Sequence, residues 1–261
     1  EKGNTFLEQL IKFGNALRDQ KNAPPDLFGE TIAVELNEPT PANTENWGAL
    51  EQLSKEKEVV GIYISGHPLD DYRIEMEHFC NFNIARLNEL NRPVNGEITI
   101  AGMITDAQHR MTKTGKPFGM FTLEDYSESI QLFLFSQDYV NFKSYLTTGW
   151  FLFIKGKYQA RQWKENELEF KVTNMELLSD VRSKLAKSIT LKLPLSIINE
   201  SVINEVDHII KSHNGNCPLK IQVIDETEKL AVTMPSRNLS IEPSNDFFSH
   251  LSKSTIDFKF N

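Results

Sequence analysis

The sequence predicts an α+β protein of several domains: a helical N-terminal segment, a five-stranded β-barrel and a small C-terminal α+β domain. Three observations predict this class. Apolar residues recur at three- and four-residue steps before about residue 95, and alternate with period two from 96 to 180. From 188 to 261 the two periods are mixed. A chain of 261 residues has room for this arrangement, since domains typically span about 100–200 residues.

The N-terminal part is predicted to hold helices separated by a linker. Residues 1–21 place Phe6 and Leu10 on one helical face. Residues 22–46 contain four prolines together with several Asn and Thr residues, which is the composition of an exposed linker. Residues 47–95 return to helical spacing and form a predicted helical connector.

The segment 96–180 reads as three strands, a short helix and two further strands. This order is expected of a Greek-key OB barrel, whose surface over strands 2 and 3 binds oligonucleotides. A plain β-meander would give a similar pattern, so the sequence leaves the strand topology open.

The last part, 188–261, reads as strand, helix, two strands and helix, a small α+β domain. A basic segment, 181–187, separates it from the barrel and is predicted to be a hinge. The apolar tail Phe258-Lys259-Phe260 is either an anchor for a partner or the end of a strand.

The net charge is −8, from 28 basic and 36 acidic residues, which argues against a protein that coats nucleic acid over its whole surface. Two stretches without acidic residues stand out, Gln108–Leu123 and Lys155–Lys164, and any nucleic-acid face is expected there. No apolar run approaches the ~20 residues of a membrane span, so no membrane contact is expected.

Binding of a single strand combines cations that follow the phosphates with aromatic rings on which bases stack. The barrel segment holds both kinds of side chain. Phe133 and Phe135 are expected in the barrel core, as phenylalanines on strands usually are. We predict phosphate contacts from Arg110, Lys113, Lys116, Lys157 and Arg161, and base stacking from Phe121 and Trp163.

No catalytic residue and no metal site are predicted for this chain. Phosphoryl transfer with two metal ions needs paired carboxylates, yet no Asp-x-Asp occurs, and the chain has no Walker loop. Neighbours on a strand point to opposite faces, so Glu124 and Asp125 are expected in turn or cap roles. His67, which precedes Pro68, is expected to cap or pack.

Three stretches carry a specific resemblance. They are Glu56–Leu69 (EKEVVGIYISGHPL), Ile100–Ile104 (IAGMI) and Lys113–Asp125 (KTGKPFGMFTLED). In this order they resemble the C-terminal part of the bacterial DNA polymerase III alpha subunit, the replicative polymerase. The resemblance covers essentially the whole chain and is weakest after about residue 188.

The resemblance implies a role for each part. Residues 1–21 would be the tail of the helix-hairpin-helix domain, and 96–180 the OB domain that guides single-stranded template DNA. Residues 188–261 would bind the tau subunit of the clamp loader. The linker pair would belong to the sliding-clamp motif, in which Asp26, Leu27 and Phe28 keep the usual end but Pro24 replaces the usual Gln.

The resemblance also implies that the catalytic domains lie upstream. The parent would be a Mg²⁺-dependent DNA-directed DNA polymerase in the bacterial cytoplasm, at the nucleoid, and this chain would hold no cofactor and contact the rest of the holoenzyme. One rival interpretation stays open, a stand-alone OB-containing protein-interaction module, which the −8 charge favours. For Leu27 and Phe28 the alternative is docking on their own protein.

Overall fold

The chain divides into two compact units, Glu1–Lys55 and Glu56–Asn261. The first contains α1 (Phe6–Asn22) and most of α2 (Ala49–Val60). In the part of the chain that the structure describes, none of the helices combines the length and the hydropathy of a membrane span. The computed structural model describes residues 5–22, 37–42, 45–88, 96–161, 164–254 and 256–261.

The second unit contains six helices and nine strands among its described residues, and it confirms the predicted α+β class. A 3₁₀ turn at Asp70–Tyr72 leads into them. In chain order they are α3 (Arg73–Phe79), α4 (Ile84–Asn88), β1 (Ile98–Met111), β2 (Pro117–Glu124), β3 (Ser129–Phe135), α5 (Ser136–Phe142), β4 (Phe151–Arg161), β5 (Lys164–Leu177), α6 (Leu178–Leu185), β6 (Ile189–Pro194), α7 (Glu200–Ser212), β7 (Asn214–Asp225), β8 (Leu230–Ile241), α8 (Asn245–Lys253) and β9 (Asp257–Phe260).

The first five strands form one antiparallel sheet in the order β3-β2-β1-β4-β5. A meander would place β4 beside β3, whereas here the chain leaves β3, forms α5 and returns on the other side of β1. Helix α5 contacts β2, β3 and β5, so it lies between the two edge strands of the sheet. This is the Greek-key order of a partly open OB barrel, and the predicted fold is confirmed.

Alternation along the strands fills the barrel interior. Ile98, Ile100 and Ile104 from β1 are fully buried, and they pack with alternate residues of β2, β3, β4 and β5. The strand β1 bends at a bulge that follows Ile104. At Gly102, just before the bulge, a Cβ atom would lie only 2.5 Å from the carbonyl oxygen of Glu124, so only glycine lets β2 approach this closely.

The remaining strands form a second sheet, in the order β8-β7-β6-β9. Strands β6 and β7 are parallel and are joined through α7, whose N-terminus is capped by Asn199 accepting from the Val202 N–H. Strand β9 pairs antiparallel with β6. The apolar tail Phe258-Lys259-Phe260 is therefore the end of a strand.

The segment 181–187 was predicted to be a hinge, and this prediction was wrong for most of it. Helix α6 runs through Leu185, and its residues Leu178 and Val181 are fully buried. Together with Leu69 and Phe153 they form a cluster on the outside of the barrel. The helical spacing of residues 178, 181 and 185 was the signal in the sequence.

Helix α6 also supplies a buried cation, Arg182. One terminal nitrogen of its guanidinium lies 2.7 Å from Glu75 Oε1 and 2.9 Å from Glu75 Oε2, on α3. The guanidinium also donates to the carbonyl oxygen of Pro243 and to Asn245 Oδ1. The exposed fractions of the Arg182 and Glu75 side chains are 13% and 4%. This ion pair therefore joins the barrel, the connector helix and the C-terminal domain.

Replacing Arg182 by methionine should lower the free energy of unfolding by about 3–5 kcal/mol, because breaking a buried pair leaves a buried charge without its partner. Urea unfolding followed by circular dichroism measures the change. The matched control is Lys184→Met on the same helix, whose ion pairs with Glu176 and Asp180 lie at the surface and should contribute nothing measurable. Equal midpoints for both variants would contradict the role given to Arg182.

Stability should fall as the pH drops below about 6.5. His78 on α3 packs against Phe258 at 4.8 Å and Phe260 at 5.2 Å between ring centroids, and burial lowers its pKa below the ordinary 6.5. The unfolded chain therefore binds the proton first, so this stability is complete above pH 6.5 and declines toward the lower pKa of the folded state.

Thermal melts between pH 7.5 and 5.5 measure this loss. His78→Gln should reduce the pH dependence of the melting temperature but not abolish it, because burial also lowers the pKa of His67, which remains in the variant. Asn204→Gln, at an exposed position on α7 without a titratable group, should leave the slope unchanged. The assignment to His78 fails if both variants keep the wild-type slope.

Candidate nucleic-acid interface

Strands β2 and β3 each present one buried and one outward row of side chains. Phe121 on β2 and Leu132 and Leu134 on β3 lie in the barrel core. The alternate positions point outward, where Phe118 is the register partner of Phe135. This outward surface of strands 2 and 3 is the one on which OB domains bind oligonucleotides.

Three phenylalanine rings form a stack on this surface, which we call the aromatic row: Phe118, Phe133 and Phe135. The rings of Phe118 and Phe135 are 5.3 Å apart at an interplanar angle of 22°. Those of Phe133 and Phe135 are 6.1 Å apart and nearly parallel, at 7°. Phe133 is 45% exposed and Phe135 is 51% exposed. Exposed parallel rings offer flat faces to a nucleobase.

Cations lie beside the aromatic row. Arg110 on β1 is the register partner of Phe118, and its guanidinium donates to Gln108 Oε1. Lys113 and Lys116 are exposed in the turn between β1 and β2. They make no ion pair with any residue that the structure describes. The structure thus brings Arg110, Lys113 and Lys116 together at one end of the aromatic row.

The fourth predicted cation, Lys157, lies elsewhere. The β4–β5 hairpin extends past the start of β1, because Ile98 pairs with Gly156, whereas the Lys113 turn follows the other end of β1. Across the hairpin Lys157 faces Lys171, which the sequence analysis did not single out. Two lysines directly opposite each other repel, so an anion beside them would be favourable.

The expectations for the phenylalanines were reversed by the structure. Phe121 has no exposed surface, so the prediction that its ring stacks on a base was wrong. Phe133 and Phe135, expected in the core, are exposed. The signal that was missed is the polar Gln131, which shares their side of β3 and marks it as the outer one.

Four predicted site residues cannot be placed. Trp163 and the proposed clamp-binding residues Asp26, Leu27 and Phe28 lie outside the described residues. For Arg161, the last residue of β4, only the backbone is described. Their roles stay predictions.

The signature stretches found in the sequence meet at the end of β2. Lys57 forms an ion pair with Glu124. The ring centroid of His67 lies 4.5 Å from that of Tyr126, the residue that directly follows Glu124 and Asp125. The Tyr126 hydroxyl donates to Asp70 Oδ1 at 2.9 Å. The Glu56–Leu69 stretch is therefore attached to the strand that carries the aromatic row.

The protonation of this junction follows from its burial and hydrogen bonds. Burial lowers the pKa of His67, and its Nδ1 accepts from the Leu69 N–H, so the neutral ring carries its proton on Nε2. Its predicted packing role is confirmed. Burial and the bond to Asp70 raise the pKa of Tyr126 to about 12. The His67 N–H lowers the pKa of Asp70.

Asp125 is buried and organises the turn between β2 and β3. Its Oδ2 accepts from the Ile84 N–H at 2.7 Å, and its Oδ1 accepts from the N–H groups of Ser127 and Glu128. The expected turn or cap role of Asp125 is confirmed, while Glu124 serves as the partner of Lys57.

Among the residues that the structure describes, no three His, Cys, Asp or Glu side chains come together as metal ligands. Burial raises the pKa of the Cys80 thiol to about 12, so it is not a ready nucleophile.

Two family models match parts of the chain. Residues 98–178 match the OB-fold nucleic acid binding domain, and residues 189–261 match the C-terminal domain of the DNA polymerase III alpha subunit. A solved structure of the mitochondrial single-stranded DNA binding protein Rim1 from S. cerevisiae covers 32% of this chain and 95% of its own. Its TM-score is 0.25 and its identity 11%, a level from which we infer nothing.

Three curated relatives match between 75% and 94% of the chain. The DNA polymerase III subunit alpha of Pseudomonas aeruginosa is 26% identical over 94% of this chain and 21% of its own length. The subunit of Pseudomonas fluorescens is 29% identical over 83% of this chain and 18% of its own length. The subunit of Escherichia coli is 26% identical over 75% of this chain and 17% of its own length. The chain therefore spans about a fifth of these relatives, and its resemblance to the C-terminal part of the DNA polymerase III alpha subunit is confirmed.

Proposed function

We propose that this chain is the non-catalytic C-terminal part of a bacterial replicative DNA polymerase and holds single-stranded template DNA on its barrel. The observation that carries the proposal is the aromatic row, exposed on the outer surface of β2 and β3 beside Arg110 and the Lys113 turn. Bases would stack on the rings while the cations contact the phosphates. Since the net charge is −8, binding would be confined to the aromatic row and the basic positions of the barrel.

The path of the strand would run from the Lys113 turn across the aromatic row. Lys157 and Lys171 would hold phosphates at the opposite end of β1. From the sequence alone, Arg161 is proposed for a further phosphate contact and Trp163 for base stacking. The polymerase active site and its Mg²⁺ would lie upstream of this chain, so the chain would hold no cofactor. It would act at the nucleoid, in the bacterial cytoplasm.

The linker and the last domain would bind proteins. Leu27 and Phe28 would fill the apolar pocket of the sliding clamp, with Asp26 preceding them in the motif and Pro24 removing the contact that Gln makes in related motifs. Residues 188–261 would bind the tau subunit of the clamp loader. Support for both contacts comes from the family resemblance.

Replacing Phe133 or Phe135 by alanine should weaken binding of single-stranded DNA by roughly 5- to 150-fold, since each stacked base contributes ~1–3 kcal/mol. Fluorescence anisotropy with a labelled oligodeoxythymidine of about 15 nucleotides measures the affinity, because one OB fold covers ~4–16 nucleotides. Ile203→Ala removes an exposed apolar side chain from the C-terminal domain and serves as the control.

Salt separates DNA binding from the rival protein-interaction module. Phosphate contacts from the six proposed cations give a log-log salt slope of about −4, at roughly −0.7 per contact, and Lys113→Ala with Lys116→Ala should reduce its magnitude by about 1.4. Wild-type affinity in both phenylalanine variants, or no binding at low salt, would refute the template role and leave the rival.

The clamp contact is tested by replacing Leu27 and Phe28 together with alanine. Binding to the sliding clamp of the same bacterium should weaken at least about tenfold, since burying each side chain contributes about 1.5–3 kcal/mol. Surface plasmon resonance measures the loss, and Glu30→Ala, just beyond the motif, is the control. If the double variant binds like the wild type, Leu27 and Phe28 do not occupy the clamp pocket.

A further inference from the structure

The second sheet has one exposed apolar edge, the first half of β8. Strand β8 pairs with β7 on one side and is the last strand of its sheet on the other. Leu230, Val232 and Met234 share one face of the strand and are 63%, 60% and 47% exposed. We call these three residues the β8 edge. They are more exposed than apolar residues on a covered sheet.

The β8 edge continues the apolar core without a break. Leu193 on β6, Val223 on β7 and Val232 on β8 are register partners in one row across the sheet. Leu193 is buried, Val223 is half-buried and Val232 is exposed. The helices α7 and α8 cover the end of β8, where Ile241 is buried in their core, but at Val232 the apolar row extends beyond this packing.

The two edges of this sheet differ sharply. At the other edge, β9 has only four residues, and its rings Phe258 and Phe260 pack against His78 of α3. Strand β8 has twelve residues, and from Leu230 to Met234 it carries neither a charge nor a proline. Charges, prolines and short strands are the means by which proteins keep an edge from pairing, so their absence here marks an edge that accepts a strand.

The charges next to the β8 edge specify its occupant. The end of β7 and the turn that precedes β8 carry Asp225, Glu226, Glu228 and Lys229. None of the four makes an ion pair among the described residues. A strand lying along Leu230–Met234 would therefore gain from basic side chains at the end beside this turn.

We propose that the β8 edge binds an extended segment of the clamp-loader subunit, which adds a fifth strand to the sheet. The segment would be apolar at alternate positions, matching the β8 edge, and basic at the end that lies beside the turn. Main-chain hydrogen bonds would supply affinity, and the apolar row would set the register. This inference rests on the proposed clamp-loader contact of the C-terminal domain.

The test compares two lysine substitutions on the same strand. Val232→Lys places a charge on the β8 edge, whereas Ala231→Lys places it on the opposite face, also at an exposed position. Binding of the tau subunit of the same bacterium, measured by isothermal titration calorimetry, should weaken at least about tenfold for Val232→Lys and little for Ala231→Lys, because burying an unpaired charge in an apolar contact is costly. Amide exchange of residues 230–235 should slow in the wild-type complex.

The outcomes separate the inference from the function on which it rests. If the wild type binds and both variants bind equally well, the β8 edge is not the site, and the clamp-loader contact stands. If the wild-type chain does not bind the tau subunit, the β8 inference and the proposed clamp-loader contact both fail. If the wild type self-associates and Val232→Lys does not, the occupant is a second copy of this chain, and the proposal is overturned.

Discussion

One guanidinium group determines how the larger unit is assembled. Arg182 is the fifth residue after the last barrel strand. It binds Glu75 of the connector, the Pro243 carbonyl just before α8 and Asn245, the first residue of α8. A buried cation is tolerated only while its partners stay in place, so each of the three segments holds the other two. The C-terminal domain thereby keeps a defined position beside the barrel. A hinge in place of α6 would leave this position free to change.

The barrel was largely predictable from the sequence, because its information is local. Alternation gave five strands and the position of the helix, and the motif-rich turn after β1 was placed correctly. The alternation could not distinguish a meander from a Greek key, because the difference depends on whether β4 pairs with β3 or with β1. That pairing is a contact between distant residues. The faces of β3 were assigned wrongly because Phe was judged by type, whereas Gln131 on the same side as Phe133 and Phe135 identifies the solvent face.

The C-terminal domain shows the same division between local and distant information. Its strands and helices followed from periodicity, and Asn199 behaves as a helix cap. The parallel pairing of β6 and β7, the burial of the tail in β9 and the open side of β8 are properties of the sheet as a whole. No single segment carries them, so the tail Phe258-Lys259-Phe260 could be read either as an anchor or as a strand.

The two longest signature stretches of this chain are parts of one joint. Lys57 and His67 come from one stretch, while Glu124 comes from the other and is followed two positions later by Tyr126. A change on one side of the joint therefore alters the environment of the other. A chimera between this chain and a related one must accordingly take both stretches from the same parent, since a boundary drawn between them would separate residues that contact each other across the joint.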